Sequence, residues 1–169
     1  MTRSHSTRYL PLILLLVAMT ASFSAVSSPA NSAGISERPG WRVIETRHSF
    51  PELVEKLDQS IKASGMNLVT QASASDGAAA QGIKIPGNKV FGVYRNDYAR
   101  RMLSASTAAG IEAPIRFYVS EQDDGTAILS WKTPSFVFSP YLEEGGAALE
   151  TLGRELDGVF ETIGKAAAE

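Results

Sequence analysis

One stretch, residues 113–134 (APIRFYVSEQDDGTAILSWKTP), restricts the possible folds more than any other. Ile115, Phe117 and Val119 alternate with Arg116, Tyr118 and Ser120; beyond an acidic turn, Ala127, Leu129 and Trp131 alternate with Ile128, Ser130 and Lys132. Alternation with period two marks strands that bury one face. Loop length then decides the register. A two-residue loop at Asp124-Gly125 sets Phe117 opposite Lys132 and Val119 opposite Ser130, which brings polar groups into the core face. A three-residue loop, Asp123-Asp124-Gly125, sets Phe117 opposite Trp131 and Val119 opposite Leu129. Three-residue hairpins place Gly at a left-handed bulge position, and Gly125 stands there. A slip of one residue would turn every side chain over, so the three-residue loop is predicted. The two strands should form the middle of a sheet.

The rest of the chain supplies elements to complete it. Residues 41–46 (WRVIET) read as a strand. Ser49-Phe50-Pro51-Glu52 has the form of a capping box, with Pro51 in the first turn of a helix. Phe50, Leu53, Val54, Leu57 and Ile61 follow at helical spacing, and Gly65 is a suitable stop. Residues 66–72 read as a short strand and 73–81 as an alanine-rich helical turn. Ile85-Pro86-Gly87-Asn88 places Pro and Gly at the centre of a type II turn. Residues 89–94 (KVFGVY) are the next strand, in which Gly92 signals a bulge or a close backbone approach.

Asn96 is expected to cap a helix through Tyr98, Met102 and Leu103 to about residue 107, with Gly110 beyond it. Ser139-Pro140 can open the last helix, whose buried stripe is Leu149, Leu152, Leu156, Val159, Phe160 and Ile163. Glycines 145, 146, 153, 158 and 164 each weaken that helix by roughly 1 kcal/mol relative to Ala, so it must depend on packing. Small residues there would also let it lie close to the sheet or to a partner. The order β-α-β-β-α-β-β-α implies a mainly antiparallel sheet with helices packed on one face, an α+β domain over residues 41–169.

The start of the chain reads as an address. Arg3 and Arg8 precede an apolar block, residues 10–19 (LPLILLLVAM), and then small residues. This is the order of a secretory signal. Residues 1–30 are assigned to it, with cleavage after Ser24, Ala30 or Ala33, and residues 31–40 to a flexible lead-in. The block is shorter than the roughly 20 apolar residues of a spanning helix, so no membrane span is expected once the signal is removed. The protein is expected to be periplasmic or extracellular.

Without that leader, fourteen basic side chains stand against eighteen acidic ones, and the net charge moves from −2 to about −4. Nucleic-acid binding, which rests on neutralising phosphates, is disfavoured. The chain has no cysteine, which removes disulfides, thiolate nucleophiles and thiolate-held metals.

No catalytic set is legible. His48 is the sole histidine after the leader; it is a candidate acid, base or axial ligand, set against a plain loop residue before a helix cap. Were the strand to continue, Glu45 and His48 would point to opposite faces. Glu121, Asp123 and Asp124 lack the spacing of a calcium loop. No nucleophile elbow, dinucleotide fingerprint or phosphate loop occurs. Aromatic area concentrates around the hairpin. Tyr118, on the face opposite Phe117 together with Arg116 and Ser130, is suited to an interface, and Tyr94 is a further candidate ligand contact.

Several of these features together resemble the domain-of-unknown-function 302 family, over about residues 50–131. Gly82 is followed by a strand containing Phe91-Gly92. Gly110-Ile111-Glu112-Ala113-Pro114 is similar to the family's Leu-Pro entry into a strand. Residues 121–125 resemble its acidic turn, and Trp131-Lys132-Thr133-Pro134 its aromatic-x-x-Pro ending. Two features depart from it: Val93-Tyr94 follow Phe91-Gly92 where the family tends to have Asn-Pro, and Ser73-Ala74 stand where many members have Asp-His. The resemblance implies a fold like the TATA-binding-protein group and a tendency to dimerise, and it implies no established activity. The sequence therefore points to an exported, non-catalytic, self-associating binding module without a cofactor. The alternative is a carrier of an apolar ligand or haem-like cofactor, held by His48, Tyr94 or Tyr118.

Overall fold

In the computed structural model, the structure describes Met1 and residues 35–169. The proposed signal beyond Met1, its cleavage sites and residues 31–34 of the lead-in lie outside the described residues.

Five strands form one antiparallel sheet in the order β1-β5-β4-β3-β2. They are β1 (Trp41–Ser49), β2 (Asn67–Ala72), β3 (Asn88–Tyr94), β4 (Ile115–Glu121) and β5 (Thr126–Lys132). The hairpin β4–β5 takes the three-residue loop: Phe117 pairs with Trp131 and Val119 with Leu129. Gly125 is left-handed at φ 83°, and its N–H donates to Gln122 O at 3.0 Å. Phe117 and Trp131 share a face, with ring centroids 5.3 Å apart.

Helices α1 (Phe50–Ala63), α3 (Asn96–Ala105) and α5 (Leu142–Ala168) pack on that face. Leu53, Leu57 and Ile61 of α1 meet Phe117, Val119 and Leu129 of the sheet, and Leu149, Leu152, Leu156, Phe160 and Ile163 of α5 close the core. Phe160 stacks on Phe117 at 4.7 Å with 15° between the rings. Val159 lies at the margin, half-buried. Two glycines of α5 are close-approach sites between elements, because a Cβ at Gly164 would come within 2.5 Å of the Trp131 ring and one at Gly153 within 2.9 Å of Ser135 Cα.

Several local expectations are corrected. Ser49 occupies the cap of α1, but no capping box forms; Glu52 turns instead to His48. Strand β1 runs on to Ser49 with a bulge between Glu45 and Ser49, so strand passes into helix without a loop. Gly87 is not the left-handed corner of a type II turn. It extends the sheet: its N–H donates to Glu121 Oε2 at 2.6 Å and its carbonyl accepts from Glu121 N at 2.8 Å. Phe50 lies so near that a Cβ on Gly87 would meet the ring at 2.6 Å. Proximity, not backbone handedness, requires glycine there.

At Gly92 both expected readings apply. A Cβ would meet Thr70 Oγ1 at 2.0 Å, and the bulge sits in the partner strand between Leu68 and Thr70. Arg95, not Asn96, occupies the cap of α3, and the helix ends at Ala105 before a 3₁₀ turn, Ala108–Glu112. The alanine-rich turn is α2 (Ala74–Ala79), capped by Ser73 Oγ accepting from Asp76 N at 2.9 Å. Ser139-Pro140 does not open the last helix. A short helix α4 (Pro134–Phe138) and a 3₁₀ turn (Ser139–Tyr141) come first, and α5 breaks at Gly146, whose φ/ψ is 52°/−151°.

Candidate functional site

With the helices on one face, the even-numbered residues of β4 and β5 are left on the other. Register extends that second face across the sheet: Trp41 pairs with Lys132, Val43 with Ser130, Tyr118 with Ser130 and with Val90. Val43, Val90 and Tyr118 are half-buried there, while Arg116 and Lys132 are exposed. This face is apolar in its middle and basic at one end.

At the basic end a groove of about 190 Å³ opens, lined by Trp41, Val90, Glu112, Arg116, Tyr118, Ser130, Lys132 and Val137, and also by Ile115, Phe117 and Trp131. Its electrostatics are lopsided. Arg38 lies over the Trp41 ring at 4.8 Å and Lys132 Nζ approaches the same ring at 5.9 Å. Among the described residues, Arg38, Arg116 and Lys132 form no ion pair. Glu112, the acid that lines the groove, accepts a hydrogen bond from Tyr141 Oη at 2.8 Å, and this holds the Tyr141 phenol above its ordinary range.

Ser130 is fully buried in the floor of the groove, and its Oγ has no hydrogen-bond partner among the described residues. Ser120 Oγ, on the same face opposite Ile128, is likewise without one. A buried hydroxyl left unpaired costs about 1–3 kcal/mol, so natural proteins keep few of them.

The sequence-predicted site residues divide. Arg116 and Tyr118 come together in the groove. Tyr94 lies farther along β3, opposite Asn67, beside a much smaller cavity with Arg95 and Tyr98. His48 lies at the other end of β1, since Trp41 pairs with Lys132 while Ser49 pairs with Thr126. Its Nδ1 is 3.1 Å from Glu52 Oε1, and its Nε2 is buried without a partner. Among the described residues no three His, Cys, Asp or Glu side chains gather where they could hold a metal. Sequence reasoning missed Trp41 and Val90, because the pairing of β1 with β5 and of β3 with β4 leaves no local signal; Lys132 was placed on this face by the hairpin alternation but not singled out.

The sequence profile described as "Domain of unknown function DUF302" matches residues 42–163. The chain belongs to the DUF302 family. A solved DUF302 structure, an uncharacterised conserved protein from Bacillus stearothermophilus, has the same fold, with a TM-score of 0.67 at 16% identity, covering 77% of this chain and 99% of that one. The chain is also 27% identical over 100 residues to proteins named fluoride-specific ion channel FluC 1 in Brucella suis and FluC 2 in Brucella melitensis. The match covers 58% of this chain but 39% and 36% of those proteins, so this chain spans less than two fifths of the curated relatives it matches. Among the described residues no helix is long and apolar enough to cross a membrane.

Proposed function

We propose that this DUF302 protein is an exported, non-catalytic binding module that works through the bare face of its sheet and pairs with a second copy of itself there. One observation carries the reading: the long helices pack on one face of the sheet, and on the other Trp41, Val43, Val90 and Tyr118 stand half-buried, with Val137 of α4 reaching the groove beside them. Aromatic and aliphatic groups in that setting are the material of interfaces. The second copy lies over the middle of the face and toward the hairpin turn, around Val43 and Ser120. The glycine-rich helix is a poorer candidate, since Gly153 and Gly164 already serve contacts within the chain. Export rests on the leader residues, and the non-catalytic reading on the lack of a partner set for His48 beyond Glu52.

Light scattering on the mature protein at micromolar concentration tests the pairing. A dimer is expected, and Val43→Asp should return it to a monomer with its far-UV spectrum intact. A monomeric parent protein overturns self-association. Export is tested by fractionating cells and reading the mature N-terminus.

The groove favours the carrier reading as a second one. At about 190 Å³ it lies below the roughly 300–1,000 Å³ of drug-sized sites, so its ligand is smaller than a haem macrocycle. The channel names of the Brucella proteins belong to much longer chains, and no ion conduction is proposed for this one.

A further inference from the structure

We infer that the groove at the basic end of the sheet is a binding site for a small organic anion: a carboxylate or sulfonate carried on an aromatic or apolar body of one or two rings. The inference rests on the bare face being a binding surface and does not need the second copy.

Three observations converge on that chemistry. The first is unbalanced charge. The register that sets Phe117 opposite Trp131 brings Arg116 and Lys132 side by side on the other face. Like charges directly opposite one another across two strands are destabilising. Here they have no acid between them, and Arg38 adds a third cation at the Trp41 ring. The chain carries more acid than base overall, so three unmatched cations around one groove are not a by-product of composition. An anion placed among them removes the repulsion, and the Arg116 guanidinium offers the forked donors that suit a carboxylate or sulfonate.

The second observation is the shape and lining. Trp41, Tyr118, Val90 and Val137 supply apolar walls, which a bare inorganic anion would not use. The volume limits the apolar body to one or two rings. The third is Ser130. It is 0% exposed, it lies on the face that lines the groove, and its hydroxyl has no partner among the described residues. A carboxylate or sulfonate oxygen seated against the floor would accept a hydrogen bond from that hydroxyl. The Glu112 carboxylate also lines the groove, but it forms no ion pair with these cations among the described residues and accepts from Tyr141 Oη instead.

The test uses the mature full chain and three probes in calorimetry, with Trp41 fluorescence as a second readout. The probes are 2-naphthoate, its neutral isostere 2-naphthamide, and inorganic phosphate. Naphthoate should bind with a change in tryptophan emission, at least tenfold tighter than naphthamide, and phosphate weaker still. Arg116→Gln with Lys132→Gln should cost tenfold or more for naphthoate and leave naphthamide unchanged. Ser130→Ala should weaken naphthoate several-fold without unfolding the protein.

Equal affinity for the acid and the amide overturns the anionic assignment. Phosphate binding as tightly as naphthoate overturns the apolar body. No binding of any probe overturns the site. Native mass is measured in parallel. If naphthoate fails to bind the parent protein while the double substitution turns a dimer into a monomer, the occupant is a second copy and the ligand inference falls, with self-association upheld. If naphthoate binds to a monomer, the ligand inference stands and self-association falls.

Discussion

Gly164 lies against the indole of Trp131 so closely that a Cβ would come within 2.5 Å of ring atom Cη2. Trp131 is itself 2% exposed and cannot step aside. Gly164→Ala should therefore destabilise the fold by about 1–3 kcal/mol, although alanine is the better helix former. Gly158, on the same helix, has nothing within 4 Å of such a Cβ. Gly158→Ala should stabilise by about 0.5–1 kcal/mol. Urea unfolding midpoints of the two variants should move in opposite directions.

Phe117 is fully buried between two rings, Trp131 on its own face of the sheet and Phe160 of the last helix. Phe117→Ala removes the contact that joins hairpin to helix, at a cost of about 3–5 kcal/mol. Near-ultraviolet dichroism and the chemical denaturation midpoint should both fall sharply. A loss below about 1 kcal/mol would mean the stack is not central to the core.

The hairpin turn should be sensitive for a reason unrelated to space. A Cβ at Gly125 would touch nothing, yet φ is 83°. Gly125→Ala should cost about 1–2 kcal/mol through backbone strain alone, and Gly125→Asn less, because asparagine tolerates the left-handed region. Thermal melts of the two variants provide the comparison.

Charge on the helices predicts an acid-sensitive component of stability. The Arg101 guanidinium holds Glu155 below the usual carboxylate range through a bidentate hydrogen bond, and Arg95 does the same for Asp97. A depressed folded-state value contributes stability above the unfolded value of about 4, and that contribution is lost as pH falls through the lower folded value. Both pairs are exposed, so the effect is modest and salt-screened. Arg101→Gln should lower the urea midpoint near neutral pH, and the gap to the parent protein should close on acidification and in high salt.

Much of the fold was legible because its information is local. The hairpin register follows from alternating side chains and a glycine at one turn position, and the face of each major helix follows from apolar spacing. These are properties of neighbours within a few residues. Cap and turn details failed where another partner, near or distant in the chain, won the competition. Glu52 bonded His48 and not the Ser49 backbone, and Gly87 was drawn into the sheet by Glu121 and crowded by Phe50.

The candidate site was legible by half. Arg116 and Tyr118 sit on a strand whose two faces the sequence distinguishes, so their exposure on the far side from the core could be read directly. Lys132 stands beside Arg116 through the hairpin register, whereas Trp41 and Val90 join them through other strand pairings, that of Trp41 between segments far apart in the chain. The linear order determined which side chains alternate and which stripe each helix buries. Strand order, and with it the gathering of cations around one tryptophan, was decided in three dimensions, where backbone hydrogen bonds between remote segments choose the neighbours that no local pattern specifies.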